Sequence, residues 1–177
     1  MTPRQRVLAA LNRQPVDRIP RFEIWIDALI DDLGGGDQAA AYANSGQDIV
    51  MMPSQQPAGS NAWQNGVDEF GRVWHDGMYH NGMLMLPADL EQYTPSLSMV
   101  VDFFDATQIE IVRQRFPDHC LIYGTHIGPF MAAYMAMGID HFFYQVIDNP
   151  DFVRALMDVR IDWAIAIFQQ AIAHGAE

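Results

Sequence analysis

The chain has 177 residues, half of them hydrophobic, which suffices for one ordinary domain, or a piece of a larger one, and argues against disorder. Its formal net charge is −12 and all ten basic residues are Arg, with no basic cluster. That excludes a nucleic-acid footprint, a lysine Schiff base and a lysine-bearing phosphate loop. The single cysteine, Cys120, cannot pair within the chain, and no apolar run approaches the roughly 20 residues of a membrane span. The expectation is a soluble, cytoplasmic chain with no nucleic-acid and no membrane partner.

Thr2-Pro3-Arg4-Gln5 reads as a helix start, with Thr2 as N-cap and Gln5 closing a capping box, and Pro15 as the stop. Arg21–Ile26 reads as a short strand, Asp27–Leu33 as a helix broken by Gly34-Gly35-Gly36, and Asp37–Asn44 as another helix. A buried strand follows at Asp48–Met52, then a polar loop over Pro53–Gly66. Val67–Asp76 and Met83–Leu86 alternate enough to form hairpin strands inserted near 67–86. Pro87–Tyr93 is a short helix, and Met99–Phe116 carries apolar residues at helical spacing. Cys120–Tyr123 is a buried strand, Gly124–Gly128 a tight turn, and Pro129 opens a helix that carries Tyr134. Ile139–Ile147 and Phe152–Ala173 complete the helices, with Asn149-Pro150 restarting between them.

Strands near 21–26, 48–52 and 120–124 alternate with helices, which predicts an α/β fold with parallel pairing. After the last helix, His174-Gly175-Ala176-Glu177 is a C-cap signal where a further strand is expected, so the chain reads as stopping mid-fold.

Several segments resemble the uroporphyrinogen decarboxylase superfamily, which includes corrinoid-dependent methyltransferases. Arg4–Pro20 (RQRVLAALNRQPVDRIP) is similar to its entry helix and "P-D-R-x-P" lead, and Val67–Trp74 (VDEFGRVW) to a hairpin of its methyltransferase-like side. Gly128-Pro129-Phe130, Tyr134 and Gly138 match the family's third strand-turn-helix, and Asn149–Met157 the helix after it. The resemblance covers essentially the whole chain. It implies a (β/α)₈ barrel with its site at the C-terminal ends of the strands. Since such a barrel takes about 250 residues, this chain is expected to supply its N-terminal half, as one partial domain.

The resemblance also implies roles. Uroporphyrinogen decarboxylases carry an Arg-rich "R-Q-A-G-R-Y" stretch after the first strand, whereas Trp25–Leu33 has no arginine and three aspartates. A multiply anionic substrate would meet repulsion there. The family's "D-x-x-x-x-F-S-D" element aligns on Asp48, keeping Ser54 and placing Gln55 at its final Asp. Gln55 can accept a hydrogen bond but offers no full negative charge to a protonated pyrrole. Tyr134 fits the family tyrosine in "Y-M-x-x-G".

The implied site residues are therefore Tyr134 as the catalytic candidate, with Ser54, Gln55, His126 and Gly128 against the substrate. A core aromatic is the alternative for Tyr134, and a satisfied loop histidine for His126. His75, Asp76 and His80 fit no zinc spacing, and Cys120 reads as a small hydrophobe. No metal site is expected here. The resemblance implies no cofactor in these residues, and zinc and a corrinoid in the full-length protein.

The leading expectation is methyl transfer between a corrinoid and a thiol-type acceptor, with a small-molecule or tetrapyrrole ligand and a corrinoid protein as partner. Uroporphyrinogen decarboxylation is the alternative, and a non-catalytic half-barrel binding subunit the second.

Overall fold

The computed structural model describes residues 1–24, 32–53, 62–124 and 128–177. These residues divide into two units. One gathers described residues within 1–54, 105–124 and 170–177, the other those within 55–104 and 125–169.

In the first unit, helix α1 (Pro3–Leu11) opens on Thr2, whose hydroxyl accepts from the Gln5 amide while the Gln5 side chain returns to the Thr2 amide. This is the expected capping box. The helix ends at Leu11, four residues before Pro15, because Arg13 takes a positive φ of 57° and turns the chain first. Helix α2 (Gln38–Asn44) starts on Asp37, which caps the Ala40 amide at 2.9 Å. It leads into β1 (Ile49–Pro53).

β1 pairs in parallel with β5 (Cys120–Gly124), in register from Ile49↔Cys120 to Pro53↔Gly124. Val50, Cys120 and Leu121 are buried in this pair, which α1 and α2 flank. Helix α4 (Ala106–Arg115) precedes β5 and buries Ile109 and Val112. Residues 21–24 form no strand, contrary to expectation, and residues 25 and 26 lie outside the described set. The Arg21 amide is taken by a side chain, the Asp48 carboxylate at 2.7 Å, while its carbonyl accepts from the Asp48 amide at 2.9 Å.

The second unit holds an antiparallel sheet of β2 (Gly66–Val67), β3 (Arg72–His75) and β4 (Met78–Gly82), in the order β2-β3-β4. The sequence reading placed the second hairpin strand at Met83–Leu86, one turn too late. Asp76 and Gly77, with φ of 49° and 75°, make the two-residue turn that pairs His75 with Met78. Positive φ at both central residues is the turn geometry matching strand twist, and Asp-Gly is its sequence mark. A bulge between Val73 and Trp74 then resets the register.

Helix α3 (Asp89–Gln92) follows the hairpin. The expected single helix over Met99–Phe116 is split. A 3₁₀ segment (Leu97–Phe103) ends on extended Phe104, and Asp105 caps a new start by accepting from the Gln108 amide. Apolar spacing ran across the break because both segments bury residues, whereas the cap residue decided where the helix begins.

Helices α5 (Pro129–Met137), α6 (Ile139–Asp148) and α7 (Pro150–Ala173) follow. Leu84, Ala133, Ala136, Met137, Phe142, Phe152 and Leu156 make the core of this unit. A neighbouring aromatic group packs edge to face, with Phe70, Phe103 and Trp163 centroids 4.9–5.7 Å apart. No helix among the described residues is long and apolar enough to cross a membrane.

Candidate functional site

Tyr134 sits at the middle of α5, the helix that Pro129 starts one residue after Gly128. It is partly buried against the Leu84–Phe142 core, with ring centroids 5.7 Å from Phe130 and 6.5 Å from Phe142. Aromatic neighbours fix the ring edge to face and leave its hydroxyl as the polar end.

The helix is clamped on β4 by backbone chemistry. The Leu84 amide donates to the Ala136 carbonyl at 2.9 Å, and a Cβ on Gly82 would fall 2.3 Å from that peptide group. Gly82 is thus the residue that lets strand and helix touch. Gly138 ends the helix at φ 82°, beside Asn81.

Gly128 caps α5 at φ −71° and a Cβ there meets nothing within 4 Å, so neither conformation nor space demands glycine. Ser54, Gln55 and His126 lie outside the described residues.

A second tyrosine stands near the first. Tyr79, on β4, has a buried hydroxyl with no hydrogen-bond partner among the described residues. Its ring meets Trp74 edge on at 6.2 Å across the hairpin. Burial pushes its phenol above the ordinary value, and the neighbouring Tyr134 phenol adds to the rise. Sequence reasoning missed this residue because the hairpin was set one turn late. The Asp76-Gly77 signal, properly used, puts Tyr79 opposite Trp74.

Two other motif residues prove to be structural. Asp48 is fully buried and accepts from Arg18 through both carboxylate oxygens, at 2.6 and 2.9 Å, from the Arg21 amide, and from Arg6. Arg6 also forks onto Asp17 at 2.5 and 2.8 Å. The "P-V-D-R-I-P" lead is therefore a latch joining α1 and the start of β1. Burial pushes the Asp48 carboxyl up, but hydrogen bonds from Arg18, the Arg21 amide and Arg6 outweigh it and hold it below the carboxylate range.

In the hairpin, Asp68 takes the Phe70 and Arg72 amides on one oxygen and Arg72 Nε and the Trp74 indole N–H on the other. The Arg72 guanidinium lies 5.0–5.4 Å from the Phe70, Trp74 and Trp63 rings. Arg160 on α7 is 3 % exposed and donates to the Phe70 and Tyr93 carbonyls at 2.8 and 3.2 Å. Burial, aided by Arg72 and opposed by Asp68, brings its pKa down to about 10. Within the "D-E-F-G-R-V-W" motif Asp68 is therefore engaged by the turn itself.

Cys120 is buried, and burial together with Glu177 pushes its thiol up to about 12, so it is no nucleophile at neutral pH. The His75 and His80 rings meet edge to face, with centroids 5.7 Å apart. Among the described residues no three His, Cys, Asp or Glu side chains gather as a metal site. These residues do not fit a zinc centre.

The model of the uroporphyrinogen decarboxylase (URO-D) family matches residues 83–177, more than half of the chain. The chain is 23 % identical, over 99 % of its length and 56 % of the relative's, to the methylcobamide:CoM methyltransferase MtbA of Methanosarcina acetivorans. Its fold is similar to a methyltransferase from Methanosarcina mazei, with a TM-score of 0.68 and 21 % identity, covering all of this chain and 57 % of that one. The chain thus spans about half the length of the relatives it matches.

Proposed function

From the premise that the chain belongs to the uroporphyrinogen decarboxylase family, we propose that it forms part of a (β/α)₈ barrel. The complete protein then moves a methyl group between a corrinoid and a thiol-type acceptor. The observation that carries the transfer is the match along 99 % of the chain to a relative named a methylcobamide:CoM methyltransferase.

Backbone geometry supports the barrel. The β1–β5 pair is parallel, and the Asp48 amide bonds the Arg21 carbonyl just before β1. The Glu177 amide bonds the Leu121 carbonyl on β5 at 2.8 Å. Since the Cys120 amide faces Asp48, alternation along the strand turns the Leu121 groups to the other edge. Chain segments 49–53 and 120–124 and the chain end near 177 therefore follow one another in sequence order, as in a barrel sheet.

In this reading Tyr134 is the ligand-facing residue, its phenol offering an O–H to an acceptor atom of the bound molecule. When bound, a corrinoid would supply the methyl group and zinc would lower the pKa of the acceptor thiol; no zinc ligand set gathers among the described residues, and a corrinoid protein is the proposed partner.

The test is spectrophotometric. The protein with whatever continuation its gene encodes, given zinc, methylcobalamin and a small thiol, should demethylate the cobalamin and lose at least tenfold in rate as Tyr134→Phe. Decarboxylation of uroporphyrinogen in a parallel assay, with no loss of methylcobalamin, sinks the methyl-transfer reading. Inertness in both assays points to the binding-subunit alternative.

A further inference from the structure

Helix α6 carries an apolar stripe that the chain leaves open. Ile139, Phe143, Val146 and Ile147 recur at i, i+4, i+7 and i+8, which is one stripe of a helix, and all four are exposed. Phe142, next to this stripe, is the residue by which the helix is held to its own core.

The stripe continues onto neighbouring segments of the same unit. The Phe143 ring meets Phe142 edge to face at 5.5 Å, and Phe142 meets Phe130 of α5 in the same way at 5.4 Å. Phe130 is itself exposed. His141 Nε2 donates to the Met85 carbonyl at 3.0 Å, which ties the segment of the exposed Met85 to α6. Apolar exposure shared by three segments, with phenylalanine rings among it, has the composition of a protein contact.

The charges around this face select the occupant. Asp140 and Asp148 are exposed on α6 itself, and no lysine or arginine occurs from residue 73 to 112 or from 116 to 153. Arg154, the first base after α6, is paired with Asp151. A face edged by acids and no base repels a second copy of itself and the anionic surface of a membrane. It favours a partner with a cationic edge, because complementary edges steer encounter and reject wrong partners. We propose that the α6 face docks a partner protein whose own apolar patch is bordered by lysine and arginine. An amphipathic helix with basic flanks is the simplest such element. This surface goes beyond the methyl-transfer reading and does not depend on it.

The experiment uses the protein with whatever continuation its gene encodes. The probe is a fluorescein-labelled amphipathic peptide of leucine and lysine, about 18 residues so that it can be helical. One control carries glutamate for lysine, and another has the same composition in scrambled order. Fluorescence anisotropy should show the lysine peptide binding roughly tenfold more tightly than either control. Phe143→Gln with Ile147→Gln, which leaves the charge unchanged, should weaken it roughly tenfold. Asp140→Asn with Asp148→Asn should weaken it roughly three- to fivefold at low salt and not at about 1 M salt. Equal binding of the lysine and glutamate peptides, or binding indifferent to the Phe143 and Ile147 changes, overturns the proposal. So does a protein that binds no peptide because the rest of its chain covers the face, or a dimer that the same two changes dissolve. Both pairs of substitutions alter exposed side chains; should one pair not fold, the other and the three peptides decide. Binding is read without methyl transfer, so this result and the methylcobalamin assay can fail independently.

Discussion

Asp48 illustrates how a motif residue next to a presumed site can be occupied entirely by structure. Its carboxylate is fully buried and accepts from two arginines and one backbone amide. Removing the charge leaves those donors unmatched, and breaking such a buried pair costs about 3–5 kcal/mol. Asp48→Asn should lose that much stability to urea at pH 7. The pH dependence follows in sign. The folded-state pKa lies below the unfolded value, so the stabilisation is complete above the unfolded pKa, about 3.9, and fades as pH falls through the folded one. The gap between wild type and Asp48→Asn should therefore shrink below pH 4. A gap that stays constant from pH 7 to pH 3 contradicts the latch.

Gly82 is the second residue whose role is steric. A methyl group there would stand 2.3 Å from the Ala136 carbonyl, a backbone group that cannot swing aside. Gly82→Ala should destabilise by about 1–3 kcal/mol, the range for overpacking, and should separate β4 from α5. Thermal unfolding measures the first effect and the ¹³C-tyrosine signals of Tyr79 and Tyr134 the second. Sequence reasoning gave Gly82 no role, because its constraint comes from a helix more than fifty residues later.

At the scale of elements, caps and turns decided boundaries where periodicity did not. The Thr2 capping box and the Pro129 start were legible, since each is a local interaction within one turn. The break at Asp105 carried an equally local signal but stood inside a run whose hydrophobic pattern continued across it, while the turn at Asp76-Gly77 closed the first expected strand without fixing where the second begins. Asp105→Ala should cost about 1 kcal/mol and should fray the first turn of α4. Amide exchange at Gln108, whose N–H the Asp105 side chain accepts at 3.0 Å, is the direct readout. Unchanged exchange there would show that the helix starts for another reason.

For the whole molecule, the apolar surface of α6 has the clearest consequence. Ile139, Phe143, Tyr144, Val146 and Ile147 are 43–81 % exposed, and only Phe142 of that helix is buried. Contiguous apolar exposure of this kind marks an interaction surface or an aggregation liability. Residues 1–177 expressed alone should therefore scatter light at micromolar concentration, and Phe143→Glu with Ile147→Lys should reduce it. A monomeric, cooperatively melting wild-type preparation would refute this.

The sequence by itself determined the α/β class with parallel pairing, the strands near 48–52 and 120–124, most helix starts and the family. These rest on local hydrogen bonds and on alternation within one segment, which the chain carries wherever it is placed. Only the tertiary structure decided that Asp48 and Asp68 are closed ion networks and that Tyr79 stands by Tyr134. Those outcomes depend on which groups meet across tens of residues. A carboxylate or a phenol looks the same in sequence whether its partner is an arginine, a bound molecule or nothing at all.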